Sequence, residues 1–260
     1  MKVQGAKPLI SVKNLHKIYD NGMHALRDVS FDVHAGEFLV VIGLSGSGKS
    51  TLLRCLNRLI EPTSGEIFYA DQDVSHIKGR DLRTLRKSVA MIFQHFNLVR
   101  RHTVLSNTLM GRLSFTSTLK SLLGLFRIED KQMALKYLNL VGLSGKIRAR
   151  ADTLSGGEQQ RVAIAKALMQ EPKILLADEP VASLDPSSAH NILDYLEKIN
   201  KELGITVICN LHFLSLVRRY ATRVIALKSG QMVYDGPPNG IDKQWFHKIY
   251  GESAKEVHID

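Results

Sequence analysis

The sequence predicts an α/β protein with three parts: a mostly parallel, doubly wound core sheet, an antiparallel β segment ahead of it, and a helical region inserted within it. Three observations carry that prediction. Apolar runs of four or five residues recur along the chain (FLVVI, VAMIF, ILLA, TVIC, VIAL), and helical patterns separate most of them. A glycine-rich loop directly follows the first of these runs. Between about residues 95 and 170 such runs are absent and the pattern is helical.

In chain order, LISVKNL (9–15) alternates weakly, and Asn21-Gly22 is a hairpin-type turn. Val29, Phe31 and Val33 then alternate with polar Ser30 and Asp32, which reads as antiparallel strands. FLVVI (38–42) is apolar throughout, as in a strand buried on both faces. The loop and a helix follow, the helix expected to end near Glu61-Pro62, and GEIFY (65–69) reads as another strand. Runs at 89–93, 174–177, 206–209 and 224–227 supply the remaining core strands. Ile192, Leu196, Ile199 and Leu203 mark one face of an amphipathic helix. The expected organisation is a single unit. Residues 1–94 and 171–240 form the α/β core with its β segment, 95–170 a helical subdomain, and 241–260 a short tail.

Bulk composition narrows the function classes. The chain has 260 residues, 44% of them hydrophobic, so a sizeable core is expected. A formal charge of +10 suits nucleic acid, anionic lipid or a phosphate-rich ligand without choosing among them. Two cysteines, Cys55 and Cys209, in apolar surroundings and without metal-ligand spacing, indicate neither a disulfide framework nor zinc. MKVQGAKPLISVK has no apolar leader. No run approaches the ~20 apolar residues of a membrane helix, so a soluble chain is expected.

GLSGSGKS (43–50) matches GxxxxGKS in the strand–loop–helix context that this motif needs. Gly43, Gly46 and Gly48 let the loop curl so that backbone N–H groups point inward, with Ser45 and Ser47 between them. The helix N-terminus favours an anion. Lys49 can reach β- and γ-phosphates, and Ser50 can ligate Mg²⁺. Ligands of open α/β sheets bind beyond the carboxyl ends of the strands. There, VAMIF delivers Gln94, ILLA delivers Asp178 and Glu179, and TVIC leads to His212. With Mg-ATP as ligand, Asp178 can hold Mg²⁺ through water. Glu179 can orient or deprotonate the attacking water. His212 can orient that water or touch the γ-phosphate, and Gln94 can sense Mg²⁺ and water.

A second stretch, LSGGEQQR (154–161), opens a helix on Leu154, Val162, Ala165 and Leu168. Ser155 is a good N-cap, yet Gly156 and Gly157 fill the first turn, where each costs roughly 1 kcal/mol against Ala. Glycines there allow something to approach the backbone closely.

GLSGSGKS, Gln94, LSGGE, ILLADEP, SLD (183–185) and His212 occur in the order of an ABC-type ATPase, which the chain resembles over roughly residues 9–236. The resemblance implies a P-loop fold, ATP and Mg²⁺, and head-to-tail pairing in which the signature of one copy covers the ATP on the P-loop of the other. It then implies that Ser155, Gly156, Gly157 and Glu158 face nucleotide, with Ser155 and Gly157 at the γ-phosphate. Glu158 stands where Gln is commoner in the family, and His212 sits in CNLHF. Tyr19 matches the adenine-stacking aromatic, Thr51 follows the P-loop serine, and Asp185 matches the loop that communicates across the dimer. Residues 95–113, 177–186 and 207–238 are similar to the ATP-binding subunits of phosphonate importers.

That likeness implies permease subunits, a second copy of the chain and, indirectly, a substrate-binding protein as partners. It places the chain peripherally on the cytoplasmic face of the cell membrane, with no nucleic acid expected. Arg100, Arg101 and Arg112 are candidate permease contacts. Phosphite or phosphate import remains an alternative. So does a soluble ABC ATPase serving a phosphonate-metabolising complex or nucleic acid. A small-molecule P-loop kinase fits less well, because the chain carries the signature and lacks an acceptor lid.

Overall fold

The computed structural model describes residues 7–117, 124–252 and 254. Residues 1–6 of the N-terminal reading, 118–123 of the helical region, and 253 and 255–260 of the tail lie outside them.

Two sheets organise the chain. The first is antiparallel, in the order β2-β1-β4-β5, from β1 (Ile10–Ile18), β2 (His24–Val33), β4 (Ser64–Tyr69) and β5 (Gln72–Asp73). The β1–β2 hairpin turns at Asn21-Gly22, where Gly22 has φ 80° and the Asn21 side chain accepts from the Met23 N–H at 3.1 Å. The second sheet runs β10-β9-β3-β8-β7-β6. Its strands β3 (Phe38–Ile42), β6 (Val89–Ile92), β7 (Ile174–Ala177), β8 (Thr206–Asn210) and β9 (Arg223–Lys228) are parallel. Only β10 (Gln231–Gly236) is antiparallel to its neighbour.

The apolar runs are buried on both faces. Phe38, Val40 and Ile42 join the core beneath the long helices, whereas Leu39 and Val41 join the core shared with the antiparallel sheet. Each fully buried Val, Leu or Ile contributes roughly 1.5–3 kcal/mol, so these strands anchor the loops at their ends.

Eight α-helices are described: α1 (Lys49–Leu56), α2 (Gly79–Ser88), α3 (Val104–Leu109), α4 (Ile128–Leu140), α5 (Gly156–Leu168), α6 (Pro186–Leu203), α7 (Leu214–Tyr220) and α8 (Lys243–Tyr250). Helix α1 ends earlier than expected. Arg58 adopts φ 59°, and its buried guanidinium reaches the Val74 carbonyl and the Glu61 carboxylate, so the chain leaves the helix axis well before Pro62. In α6, Ile192, Leu196 and Ile199 are buried, but Leu203 at its end is exposed. The stretch expected as a tail contains α8, capped by the Asp242 carboxylate on the Trp245 N–H at 2.8 Å, with Phe246 and Ile249 packed into the core.

Candidate nucleotide-binding site

The carboxyl ends of β3, β7 and β8 converge on one site. After β3 the chain curls through the glycine loop into α1. Gly43 (φ 143°) cannot accept a Cβ, which would collide with the Leu227 carbonyl, and a Cβ on Gly48 (φ 106°) would collide with the Ala25 carbonyl. A Cβ on Gly46 (φ 78°) would meet nothing within 4 Å, so the loop is open on that side. Gly48 is the N-cap of α1 and offers no side-chain bond, leaving the first-turn N–H groups free for an anion.

Lys49 is buried inside this loop and donates to the Gly43 carbonyl at 2.9 Å and the Leu44 carbonyl at 3.0 Å. Burial pushes its pKa down, and the charges of Glu179 and Asp178 pull it back up. Ser47 has a buried hydroxyl without a hydrogen-bond partner among the described residues, while Ser45 is exposed. Beside the loop the Tyr19 and Thr51 hydroxyls are 3.1 Å apart, with Lys17 Nζ 5.3 Å from the Tyr19 ring centroid.

Asp178 follows β7 and is almost fully buried. Its Oδ1 accepts from the Ser50 hydroxyl at 2.7 Å and the Asn210 amide at 2.8 Å, and its Oδ2 faces Arg54 at 3.3 Å. A hydroxyl and one carboxylate in contact suit Mg²⁺, which binds through one or two carboxylates plus substrate phosphates. Among the described residues no group of three His, Cys, Asp or Glu is placed to hold a metal unaided.

Glu179 adopts φ 52°, a left-handed conformation that costs a non-glycine residue of order 1 kcal/mol or more. That turn brings its Oε1 within 2.7 Å of His212 Nε2. Gln94 lies exposed in the turn after β6, followed by Phe96 (φ 45°) and Asn97 (φ 49°). Buried Asn107 ties down the next segment through the Val99 N–H at 2.8 Å and the Val99 carbonyl at 3.1 Å.

The LSGGE stretch stands apart. Ser155 caps α5, its hydroxyl accepting from the Glu158 N–H at 3.3 Å, and the Glu158 carboxylate accepts from the Ser155 N–H at 3.0 Å. Glu158 also pairs with Lys146, whose hydrogen bond is the main cause of its lowered pKa. No hydrogen bond or ion pair among the described residues joins Ser155–Glu158 to the phosphate loop. The glycines do have close neighbours in their own chain: a Cβ on Gly157 would sit 3.2 Å from Ser188 Oγ, and one on Gly156 3.2 Å from Leu184. Asp185 caps α6 by accepting from the Ser188 N–H at 2.9 Å.

Three outcomes differ from the sequence reading or add to it. Arg112 is not a free surface cation: it pairs with Asp130 at 2.9 Å and Glu171 at 2.8 Å and stacks 4.1 Å from the Phe115 ring centroid. Arg100 and Arg101 are exposed. Asn210 and Arg54 touch Asp178 although neither was singled out. The signal for Asn210 was a polar residue closing an apolar strand, two places beyond Ile208 and so on the same face.

A loop that closes on a lysine, beside paired acidic residues at the end of a parallel strand, defines a P-loop nucleotide-binding protein. The model of the ABC transporter family matches residues 26–182, and the chain belongs to this family of ATP-hydrolysing cassettes. The Phosphonates import ATP-binding protein PhnC of Bdellovibrio bacteriovorus is 58% identical over 253 residues, covering 97% of each chain. The protein of the same name from Staphylococcus aureus is 50% identical over 247 residues, covering 95% of this chain and 96% of its own. Among solved structures, cbiO1 of Clostridium perfringens, part of the cbiONQ transporter complex, is similar with a TM-score of 0.80 and 28% identity, covering 94% of each chain. The dimeric bacterial ABC transporter cassette MJ0796 is similar with a TM-score of 0.78 and 33% identity, covering 88% of this chain and 98% of its own. No helix among the described residues is long and apolar enough to cross a membrane.

Proposed function

We propose that this chain is the ATP-hydrolysing subunit of a membrane importer of phosphonates, working as a head-to-tail pair of copies docked on permease subunits at the cytoplasmic face. The observation that carries the ATPase reading is the contact between Glu179 and His212 at 2.7 Å, one residue along from a carboxylate already held by the phosphate-loop serine. The substrate class is supported by likeness to proteins named for phosphonate import over nearly the full chain length.

In this reading the α1 N-terminus and loop N–H groups bind the ATP phosphates. Lys49 exchanges the Gly43 and Leu44 carbonyls for phosphate oxygens. Tyr19 stacks on the adenine. Ser50 and Asp178 would hold Mg²⁺, which would supply neutralisation of the phosphate charge. The carboxylate of Glu179 accepts a proton from water as the water oxygen bonds to the γ-phosphorus. The bond from that phosphorus to the β-phosphate oxygen breaks, and ADP and phosphate result. His212 fixes the carboxylate's orientation, and Gln94 reports the state of the site to the helical region. Ser155 and Gly157 of the second copy complete the γ-phosphate contacts. Ser155 can do so without uncapping α5, because its hydroxyl accepts from Glu158 and still has a proton to donate. A similar cassette has been solved as a dimer bound to ADP and Pi, which supports the pairing.

The test is deletion of the gene in its host, with uptake of labelled phosphonate, phosphite and phosphate measured after rescue by wild type or Glu179→Gln. Loss of phosphonate uptake rescued only by wild type is expected. Loss confined to phosphite or phosphate would change the substrate. Unchanged uptake of all three, without a redundant system, would remove the transport assignment.

A further inference from the structure

We infer that Asn210 is a positioning residue that orients the Asp178 carboxylate toward the divalent cation of the bound nucleotide. The inference rests on the reading of this site as one for Mg-ATP. Asn210 closes β8 and is wholly buried. Ile208 and Leu176 belong to the same core beneath α1, and two residues beyond each, on the same face, stand Asn210 and Asp178. Buried polar groups need partners, and the Asn210 amide nitrogen has Asp178 Oδ1 at 2.8 Å.

The chemistry of the three donors on Asp178 sorts them into two kinds. Ser50 and Asn210 are neutral and share Oδ1, so they fix that oxygen without cancelling its charge. Arg54 is cationic, reaches Oδ2 from a longer 3.3 Å, and has a side chain 44% exposed, so it can swing away when a cation arrives. The amide cannot face the other way, because its oxygen would then oppose a carboxylate oxygen. In the orientation it holds, Asn210 Oδ1 is buried with no partner among the described residues. Among the described residues its one side-chain bond is therefore to Asp178, and its remaining acceptor is left for a water carried in by a hydrated cation.

The test compares wild type with Asn210→Leu, a near match in size. Two affinities are measured on the full chain: ADP without metal, and Mn²⁺ for the ADP complex by electron paramagnetic resonance. Metal-free ADP affinity is expected to stay within about twofold, while Mn²⁺ affinity falls roughly ten- to hundredfold, the range carried by partners of metal ligands. Wild-type Mn²⁺ affinity in the variant would overturn the inference. An equal fall in metal-free ADP affinity would also overturn it, because Asn210 would then support the whole loop. Should wild type bind Mn²⁺ no better than free ADP does, the metal site itself fails and the inference with it. Asn210→Ala, with the same expectation, replaces the leucine variant if that does not fold.

Discussion

The helix starts of α1 and α5 both carry glycine, and they are prepared differently. Helix α1 follows Gly48 with no side-chain cap; its lysine is held by carbonyls of the glycine loop and its serine by the Asp178 carboxylate. Helix α5 begins at Ser155 inside a closed capping box, with Glu158 further held by Lys146. The first keeps its backbone donors open and has a cation and a carboxylate at hand. The second is stable as it stands, with its carboxylate closing the cap and its neighbouring lysine paired to that carboxylate. A helix start that binds unaided is left uncapped by its own side chains. One that completes a site from outside can be capped, provided that a hydroxyl proton and bare N–H groups remain for the incoming phosphate.

The largest effect is expected at the base. Glu179→Gln should bind ATP normally and lose roughly 10²–10⁴-fold in hydrolysis, as removal of a general base does, in a single-turnover phosphate-release assay. Sustained turnover would remove Glu179 from that role. Lys49→Ala should weaken ATP binding by roughly ten- to a hundredfold, the worth of charge-assisted hydrogen bonds, read by calorimetry. Unchanged binding would sink the P-loop reading. Ser155→Ala separates the two helix starts: monomer ATP affinity should not move, while hydrolysis drops and the melting temperature falls with the loss of about 1 kcal/mol of capping. Weaker ATP binding in the isolated monomer would mean that both helix starts serve the same nucleotide within one chain.

Arg112→Ala tests the helical region alone. Removing one partner of a largely buried pair costs about 3 kcal/mol, so chemical denaturation should show a clear loss of stability. An unchanged stability would show that the Arg112–Asp130 pair does not hold this region together. Acidification should have the smallest effect. Hydrogen bonds from Lys146 to Glu158 and from Ser188 to Asp185 hold both carboxylates below their usual range. Their contribution is complete above the unfolded values, roughly 4, and is lost as pH falls through the lower folded values. Melting curves from pH 6 to 3 should show that loss, and Glu158→Gln should flatten part of it.

Much of the fold was legible because buried parallel strands leave a plain signature. FLVVI and ILLA coincide with β3 and β7 end to end. The end of α1 was not legible, because Arg58 leaves the helix to reach Val74, a partner sixteen residues away. The ion pair of Arg112 was hidden for a similar reason: Asp130 lies eighteen residues away on α4, and nothing local links the two. At the site, the motif spacing named Lys49, Ser50, Asp178, Glu179 and His212, and the fold gathers them. Their roles are what the substitutions above decide. Asn210 belongs to no motif; counting alternate residues from Ile208 gives its face, but its place beside Asp178 depends on how β7 and β8 pair. The packing of Gly157 on Ser188 was invisible, since it depends on how α5 meets α6.

The most direct measurement is the molar mass of Glu179→Gln by light scattering, with and without ATP, alongside the double variant Glu179→Gln/Gly157→Asp. With one helix start binding ATP and the other completing the site of a second copy, Glu179→Gln should double its mass on ATP addition. The double variant should bind ATP and stay monomeric. A Glu179→Gln chain that remains monomeric with ATP, or a double variant that still pairs, would contradict the division of labour between α1 and α5.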